Sequence, residues 1–153
     1  MNSFSSKYKH DSTSSIGLSF VKVYNTWHRK IKEQLKTLNL THPQYIVLAS
    51  LGYLAQHQQE VNQVDLARQS EIDVMTVSTI VKNLEKQHLI IRQPSLQDTR
   101  AKVVTITEKG QIILNQALPL VESIDTNFFG SLGEQADLFN QMLLKLVTEA
   151  ETL

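Results

Sequence analysis

Between Val61 and Gly110 the hydrophobic period switches from helical to extended, and this switch restricts the fold more than any other feature of the chain. Asn62 with Asp65, and then Asp73, mark two helix starts. The helices they open, Gln63–Ser70 and Val74–His88, are separated only by Glu71, Ile72 and Asp73. A connection that short makes two helices meet at a steep angle, as in a helix-turn-helix. After Leu89 come two runs rich in β-branched residues, Leu89-Ile90-Ile91-Arg92 and Ala101-Lys102-Val103-Val104-Thr105-Ile106. The polar segment Pro94–Arg100 between them is too long for a two-residue turn and predicts a hairpin with an extended tip carrying Asp98-Thr99-Arg100. Two capped helices followed by a hairpin predict a winged helix-turn-helix, an architecture that places one helix in a DNA groove and a loop beside it.

The flanks predict long helices. Phe20, Tyr24, Trp27, Ile31, Leu35 and Leu38 recur at spacings of four and three, one stripe of an amphipathic helix over Ile16–Leu38. Thr41 with Gln44 forms a capping-box pattern ahead of a helix over Pro43–Gln58. Thr107 caps another that runs to about Phe128, with Pro119 expected to kink or divide it. Gly130 marks a stop, and Ser131 with Glu134 a fresh start for a last helix burying Leu132, Phe139, Met142, Leu143, Leu146 and Ala150. Residues 1–15 hold six serines and little to bury, and are read as a flexible tail. The expected organisation is therefore mainly α: a winged helix-turn-helix lobe with a two-stranded wing over 41–110, flanked by long helices in 16–40 and 111–153.

Composition narrows the chemistry. The absence of cysteine excludes disulfides, thiolate-rich zinc sites and thiol redox switching. Tyr45–Ala55, the longest apolar stretch, is interrupted by Ser50 and Gly52 and is too short to span a bilayer; with no signal-like N-terminus, a soluble cytoplasmic protein without membrane partners is expected. The net charge is zero, but it is unevenly distributed. Residues 1–38 carry seven Lys/Arg against two Asp/Glu, whereas 111–153 carry one against six. Opposed ends attract, so the first and last helices are expected to pack together, within one chain or between two. From Met75 to Gly110 there are six basic residues against three acidic, a local excess where a groove-facing surface needs it.

On a helical wheel Val77, Ile80, Val81 and Leu84 face one way, and Met75, Thr79, Lys82, Asn83 and Lys86 the other, with Thr76 and Ser78 on the flanks. Hydroxyl, amide and ammonium groups near a helix N-terminus suit base edges and phosphates, Lys82 and Lys86 being placed for phosphates. At the hairpin tip Arg100 is suited to a minor groove, Asp98 can hold it extended, and Lys102 follows as a further basic candidate. Read alone, each of these features has a plainer alternative, a solvated helix face and a surface ion pair.

Leu66-Ala67, Thr76-Val77-Ser78, Leu84-Glu85, Leu89, Arg92, Asp98-x-Arg100 and Thr107-x-x-Gly110, taken in order, resemble the MarR (multiple antibiotic resistance regulator) family of winged helix-turn-helix transcriptional regulators. The resemblance implies a homodimer whose first and last helices interlock and whose two wings flank a pseudo-palindromic operator of double-stranded DNA. It places Thr76, Ser78 and Thr79 on recognition-helix positions and Arg100 on the wing arginine, and it implies an effector-responsive repressor. Three positions depart from the family pattern. Thr79 stands where many members have arginine, His88 replaces the glycine that usually ends the recognition helix, and Ile106 replaces a leucine. A histidine at that end must accept left-handed strain or adopt another geometry.

The resemblance also implies a pocket for a small aromatic or anionic effector between the dimer helices and the lobe, with Tyr24, Trp27, His28, His42 and Tyr45 as candidates; Tyr24 and Trp27 read more simply as core or interface residues. No two of the five histidines lie three or four residues apart, so no metal is expected; His28, His42 and carboxylates could form a site only by meeting in space. No cofactor and no catalytic residue is expected, because phosphate loops, nucleophile–base arrangements and paired carboxylates are missing from the sequence. The competing function is a winged-helix module that binds protein without reading DNA sequence.

Overall fold

Four polar side chains set the frame of the lobe by capping helices at the positions their spacing predicts. In the computed structural model, which describes residues 3–150, Thr41 and Gln44 close a reciprocal capping box at the start of α2 (His42–Ala55). Asn62 and Asp65 do the same for α3 (Gln63–Ser70). Asp73 caps α4 (Val74–Lys86), and Thr107 caps α5 (Glu108–Phe129). Each such cap is worth about 1 kcal/mol, so together they fix where the chain turns. The first long helix, α1, spans Ile16–Lys36.

Strands β1 (Ile90–Pro94) and β2 (Lys102–Ile106) pair antiparallel, Ile90 opposite Ile106 and Pro94 opposite Lys102. Pro94 is tolerated because the pair is only two strands wide, which leaves an edge that needs no donor. The Val104 N–H also donates to the Val61 carbonyl at 2.8 Å, so the connector between α2 and α3 lies along the hairpin. The core gathers Ile31 and Leu35 of α1, Leu48 and Leu51 of α2, Leu66, the Val77, Val81 and Leu84 stripe of α4, Ile90 and Leu114.

Several expectations change. α5 is not divided at Pro119; it runs unbroken through it. Pro119 lies on an exposed position, where water can take the carbonyl its missing N–H leaves unpaired. The fresh start after α5 is not at Ser131, which caps nothing: a 3-10 stretch over Gly130–Gln135 leads into α6 (Ala136–Ala150), and the bend falls at Gly133, φ 56°. Leu132, Phe139, Met142, Leu143, Leu146 and Ala150 are not buried in this single chain; α6 has no buried residue. The α1 stripe is likewise buried only at Ile31 and Leu35, while Phe20 and Tyr24 are exposed. α2 and α4 end earlier than expected, at Ala55 and Lys86. Residues 3–15 carry turns and a short 3-10 helix, Ser12–Ser14, capped by Asp11, with none of them buried. The expected tail also includes residues 1–2, and the last flanking helix residues 151–153; both pieces lie outside the described residues.

Candidate nucleic-acid interface

The face of α4 opposite its buried stripe is open. Met75 is 83% exposed, and Thr76, Thr79, Lys82, Asn83 and Lys86 are exposed with it, while Ser78 is half-buried on the flank. Thr76 is committed to the helix start: its N–H and hydroxyl donate to the two carboxylate oxygens of Asp73 at 2.9 and 2.6 Å. Those bonds hold the Asp73 carboxyl below its ordinary range and leave the Thr76 hydroxyl free only as an acceptor. The Thr79 hydroxyl leans back to the Met75 carbonyl at 3.4 Å, a weak bond that a stronger external acceptor can displace.

The wing is locked to α4 at its root. Arg92 on β1 donates to Glu85 of α4 through Nε at 3.2 Å and Nη2 at 2.9 Å. The paired guanidinium keeps the Glu85 carboxyl below its usual range. At the tip Asp98 Oδ1 accepts from the Arg100 N–H at 3.0 Å and from its Nε at 3.3 Å, so the expected Asp98–Arg100 pairing is present while the Arg100 side chain stays 92% exposed. Lys102 is exposed on β2.

Helix α4 and the hairpin meet at His88. It takes the left-handed conformation, φ 62°, that the glycine pattern requires. The Leu89 N–H bonds the Leu84 carbonyl and the His88 N–H bonds the Glu85 carbonyl, both at 3.0 Å, the two bonds of a Schellman ending. The His88 carbonyl then accepts the Thr107 hydroxyl at 2.7 Å, and the Leu89 carbonyl accepts the Thr107 N–H at 3.0 Å. Thr107 in turn caps Gly110, whose backbone lies so near Leu89 that a Cβ there would sit 2.0 Å from the Leu89 oxygen. The Thr-x-x-Gly spacing thus has a mechanical reason: threonine ties the end of α4 to the start of α5, and only glycine fits the contact.

The five candidate effector residues do not form one open pocket. Tyr24 stacks on His28, ring centroids 5.4 Å apart, and His28 on His42 at 4.9 Å, with Trp27 edge-on to His42 at 5.2 Å. The Nδ1 atoms of His28 and His42 are 2.7 Å apart, so one ring donates and the other accepts. His42 is 3% exposed; burial, and secondarily the neighbouring His28, lowers its pKa to about 4. Tyr45 is buried too, and burial, followed by Glu122 and Asp125, pushes its hydroxyl up to about 12. Trp27 Nε1 donates to Asp125 of α5 at 2.7 Å. The open space lies to one side: an apolar groove of about 630 Å³ between α1, the end of α5 and α6, lined by Phe20, Val23, Phe129, Phe139 and Met142 among others, which only Tyr24 and Trp27 of the five candidates reach. Among the described residues no three histidine, aspartate or glutamate side chains are grouped as for a metal, and no helix is long and apolar enough to cross a membrane.

Sequence reasoning missed Glu60, Ser95 and Asp125, each of which meets its partner only through tertiary structure. Only Ser95, polar and inside the hairpin tip, carried a hint of a turn role.

The MarR family model matches residues 40–102, from the residue before the α2 cap to the first residue of β2. The chain is similar to YdcH of Bacillus subtilis (strain 168), an uncharacterised HTH-type transcriptional regulator, with 35% identity over 142 residues, 92% of this chain and 96% of that one. It is similar to the transcriptional regulator HosA of Escherichia coli O111:H-, 30% identical over 71% of this chain and 78% of that protein. The fold is similar to the crystal structure of CouR from Rhodococcus jostii RHA1 bound to p-coumaroyl-CoA, with a TM-score of 0.76 and 25% identity over 90% of this chain and 93% of that one.

Proposed function

The chain belongs to the MarR family, and from that premise we propose that it regulates transcription as a homodimer on a pseudo-palindromic operator, acting as an effector-responsive repressor. Two α4 helices enter major grooves through Met75, Thr76, Ser78, Thr79, Lys82, Asn83 and Lys86, and the wings bring Asp98, Arg100 and Lys102 to the flanking minor grooves. The observation that carries this reading is the open face of α4 beside an exposed Arg100 braced by Asp98. A guanidinium kept extended loses less freedom on entering a groove. Dimerisation places the first and last helices of two copies together, where the groove walled by α1 and α6 would be covered.

Effector control fits the same geometry. Tyr24 and Trp27 touch both the groove and the histidine pair, so a planar ligand lodged there would bear on the contact between α1 and the start of α2. A ligand of that kind represses or derepresses only as far as it prefers one spacing of the two lobes. CouR, described as bound to p-coumaroyl-CoA, supports an aromatic acyl compound as the first one to try.

The deciding experiment enriches duplexes from a randomised pool with the purified protein and titrates the winners in a salt series. Binding should favour the enriched duplex over random DNA and weaken steeply with salt, and Arg100→Ala should weaken it by about 1–3 kcal/mol with the dimer intact. Failure to enrich any duplex even in dilute buffer would refute the reading in favour of a protein-binding module. Adding p-coumaroyl-CoA to the formed complex tests the effector arm; no shift with it or with p-coumarate would remove aromatic acyl compounds from consideration.

A further inference from the structure

The wing tip is exposed from Leu96 to Arg100, yet its base is pinned by an acidic residue from a different element. Glu60, in the connector between α2 and α3, accepts the Ser95 hydroxyl on Oε2 at 2.7 Å and the Leu96 N–H on Oε1 at 3.0 Å. Ser95 is 5% exposed, and its oxygen accepts the N–H groups of Gln97 and Asp98 at 3.0 and 3.1 Å. Asp98 then holds Arg100 through its backbone N–H and Nε. A continuous run of bonds therefore leads from the connector to the guanidinium. The connector is itself fixed: the Glu60 carbonyl accepts Gln58 Nε2 at 2.9 Å, and the next residue, Val61, bonds β2 through Val104.

We propose that Glu60 is a positioning residue for DNA binding, which, through Ser95 and Asp98, sets where Arg100 stands relative to α4; the proposal rests on the reading of this chain as a DNA-binding regulator. Simple electrostatics gives the opposite expectation. A carboxylate on a lobe that meets phosphates repels them, so its removal should tighten binding. Here both oxygens are engaged by donors, and the short Ser95 bond is charge-assisted, the stronger class of hydrogen bond. Losing them uncouples the tip, Ser95–Ala101, from the connector. Bonds within the tip remain, such as the Ser95 N–H to the Ala101 carbonyl at 2.9 Å and the Ala101 N–H to the Asp98 carbonyl at 3.0 Å. What is lost is the placement of the tip as a unit, which must then be met during binding. Arg92–Glu85 fixes the root of the hairpin, but it lies on β1 away from the tip and cannot replace the clamp.

The test uses the full chain and a duplex that the wild-type protein has enriched from a randomised pool; if no duplex is enriched, the functional reading fails rather than this inference. Glu60→Ala should weaken binding about three- to tenfold, although it removes a negative charge, and Glu60→Gln, which keeps one acceptor oxygen, should lose less. In an Arg100→Ala background Glu60→Ala should cause no further loss, because the two act through one contact. Dimethyl sulfate interference supplies a readout that a general weakening would not move. Signals at adenine N3, in the minor groove, should fade, while those at guanine N7, in the major groove, persist. Tighter or unchanged binding, equal losses in both backgrounds, or joint loss of both groove signals would each overturn the proposal. Should the alanine variant melt, Glu60→Gln carries the same test, and intact adenine N3 signals with reduced affinity would then refute it.

Discussion

Replacing Gly110 with alanine should damage this fold more than any other change of one methyl group at a glycine. The added Cβ would lie 2.0 Å from the Leu89 carbonyl oxygen, 2.9 Å from the Leu89 carbonyl carbon and 2.8 Å from Ile106 Cγ1. Two of those atoms are backbone, so the clash cannot be relieved by a rotamer change. Restoring ordinary contact requires the first turn of α5 to retreat from Leu89 by roughly an ångström. Leu89 and Ile90 are buried there, and the Thr107 bonds to the His88 and Leu89 carbonyls span the same gap. Overpacking of this sort costs about 1–3 kcal/mol, and disturbing the cap adds about 1 kcal/mol, giving about 2–4 kcal/mol in all. Gly17 is the internal control. Nothing lies within 4 Å of its added Cβ near the start of α1, so Gly17→Ala should stabilise by about 0.5 kcal/mol. Gly52 falls between them, since its Cβ would meet only the end of the Leu114 side chain, at 2.9 Å. Urea unfolding followed by circular dichroism, at one protomer concentration, measures all three. If Gly110→Ala shifts the midpoint no further than Gly17→Ala does, the packing argument for the threonine–glycine junction is wrong.

Three other perturbations follow from the same contacts. His42 is neutral in the folded chain, with a pKa of about 4 against 6.5 for a free histidine. The unfolded state therefore takes up a proton first as pH falls, and the stability this site contributes is full above 6.5 and declines towards 4; about 2 kcal/mol should be lost between pH 8 and pH 5. Equal pH dependence in wild type and His42→Gln would count against it. His88→Gly should relieve the left-handed strain at an exposed position and raise stability by about 0.5–1 kcal/mol, and a lowered melting temperature would contradict that. Lys82→Ala should weaken binding to every duplex alike and flatten the salt slope by about one unit, whereas a loss confined to one sequence would mean that Lys82 reads bases.

The helix starts were legible because caps are local. Thr41, Asn62, Asp73 and Thr107 each bond a backbone N–H three residues on, so sequence spacing carries the whole interaction. The α4 stripe was legible for the same reason, its buried and open faces following from helical period alone. What stayed hidden depends on distance along the chain. Glu60 lies 35 residues from Ser95, and Trp27 lies 98 from Asp125, and nothing local marks either pair. Pro119 does not divide α5 because its cost, a lost bond and a ring clash of about 3 kcal/mol, is outweighed by the packing of Leu114, Ala117 and Val121 on either side of it, which one residue cannot reveal. Gly130 does mark the end of α5, which stops at Phe129, but the fresh start expected at Ser131 does not occur there, because the 3-10 continuation and the bend at Gly133 have no local signature. The five aromatic and histidine residues were correctly grouped as neighbours in part, but which of them borders empty space depends on how α5 and α6 fold back over α1.

The oily trough beside Trp27 has one wall from the beginning of the chain and another from α6. During synthesis Phe20, Val23 and Tyr24 emerge early and must wait, uncovered, until Phe139, Met142 and Leu146 are made. The core of the lobe between them, by contrast, closes as soon as Leu114, Ala117 and Val121 of α5 have been made. A growing chain can thus bury the core of its lobe before α6 exists to wall the trough.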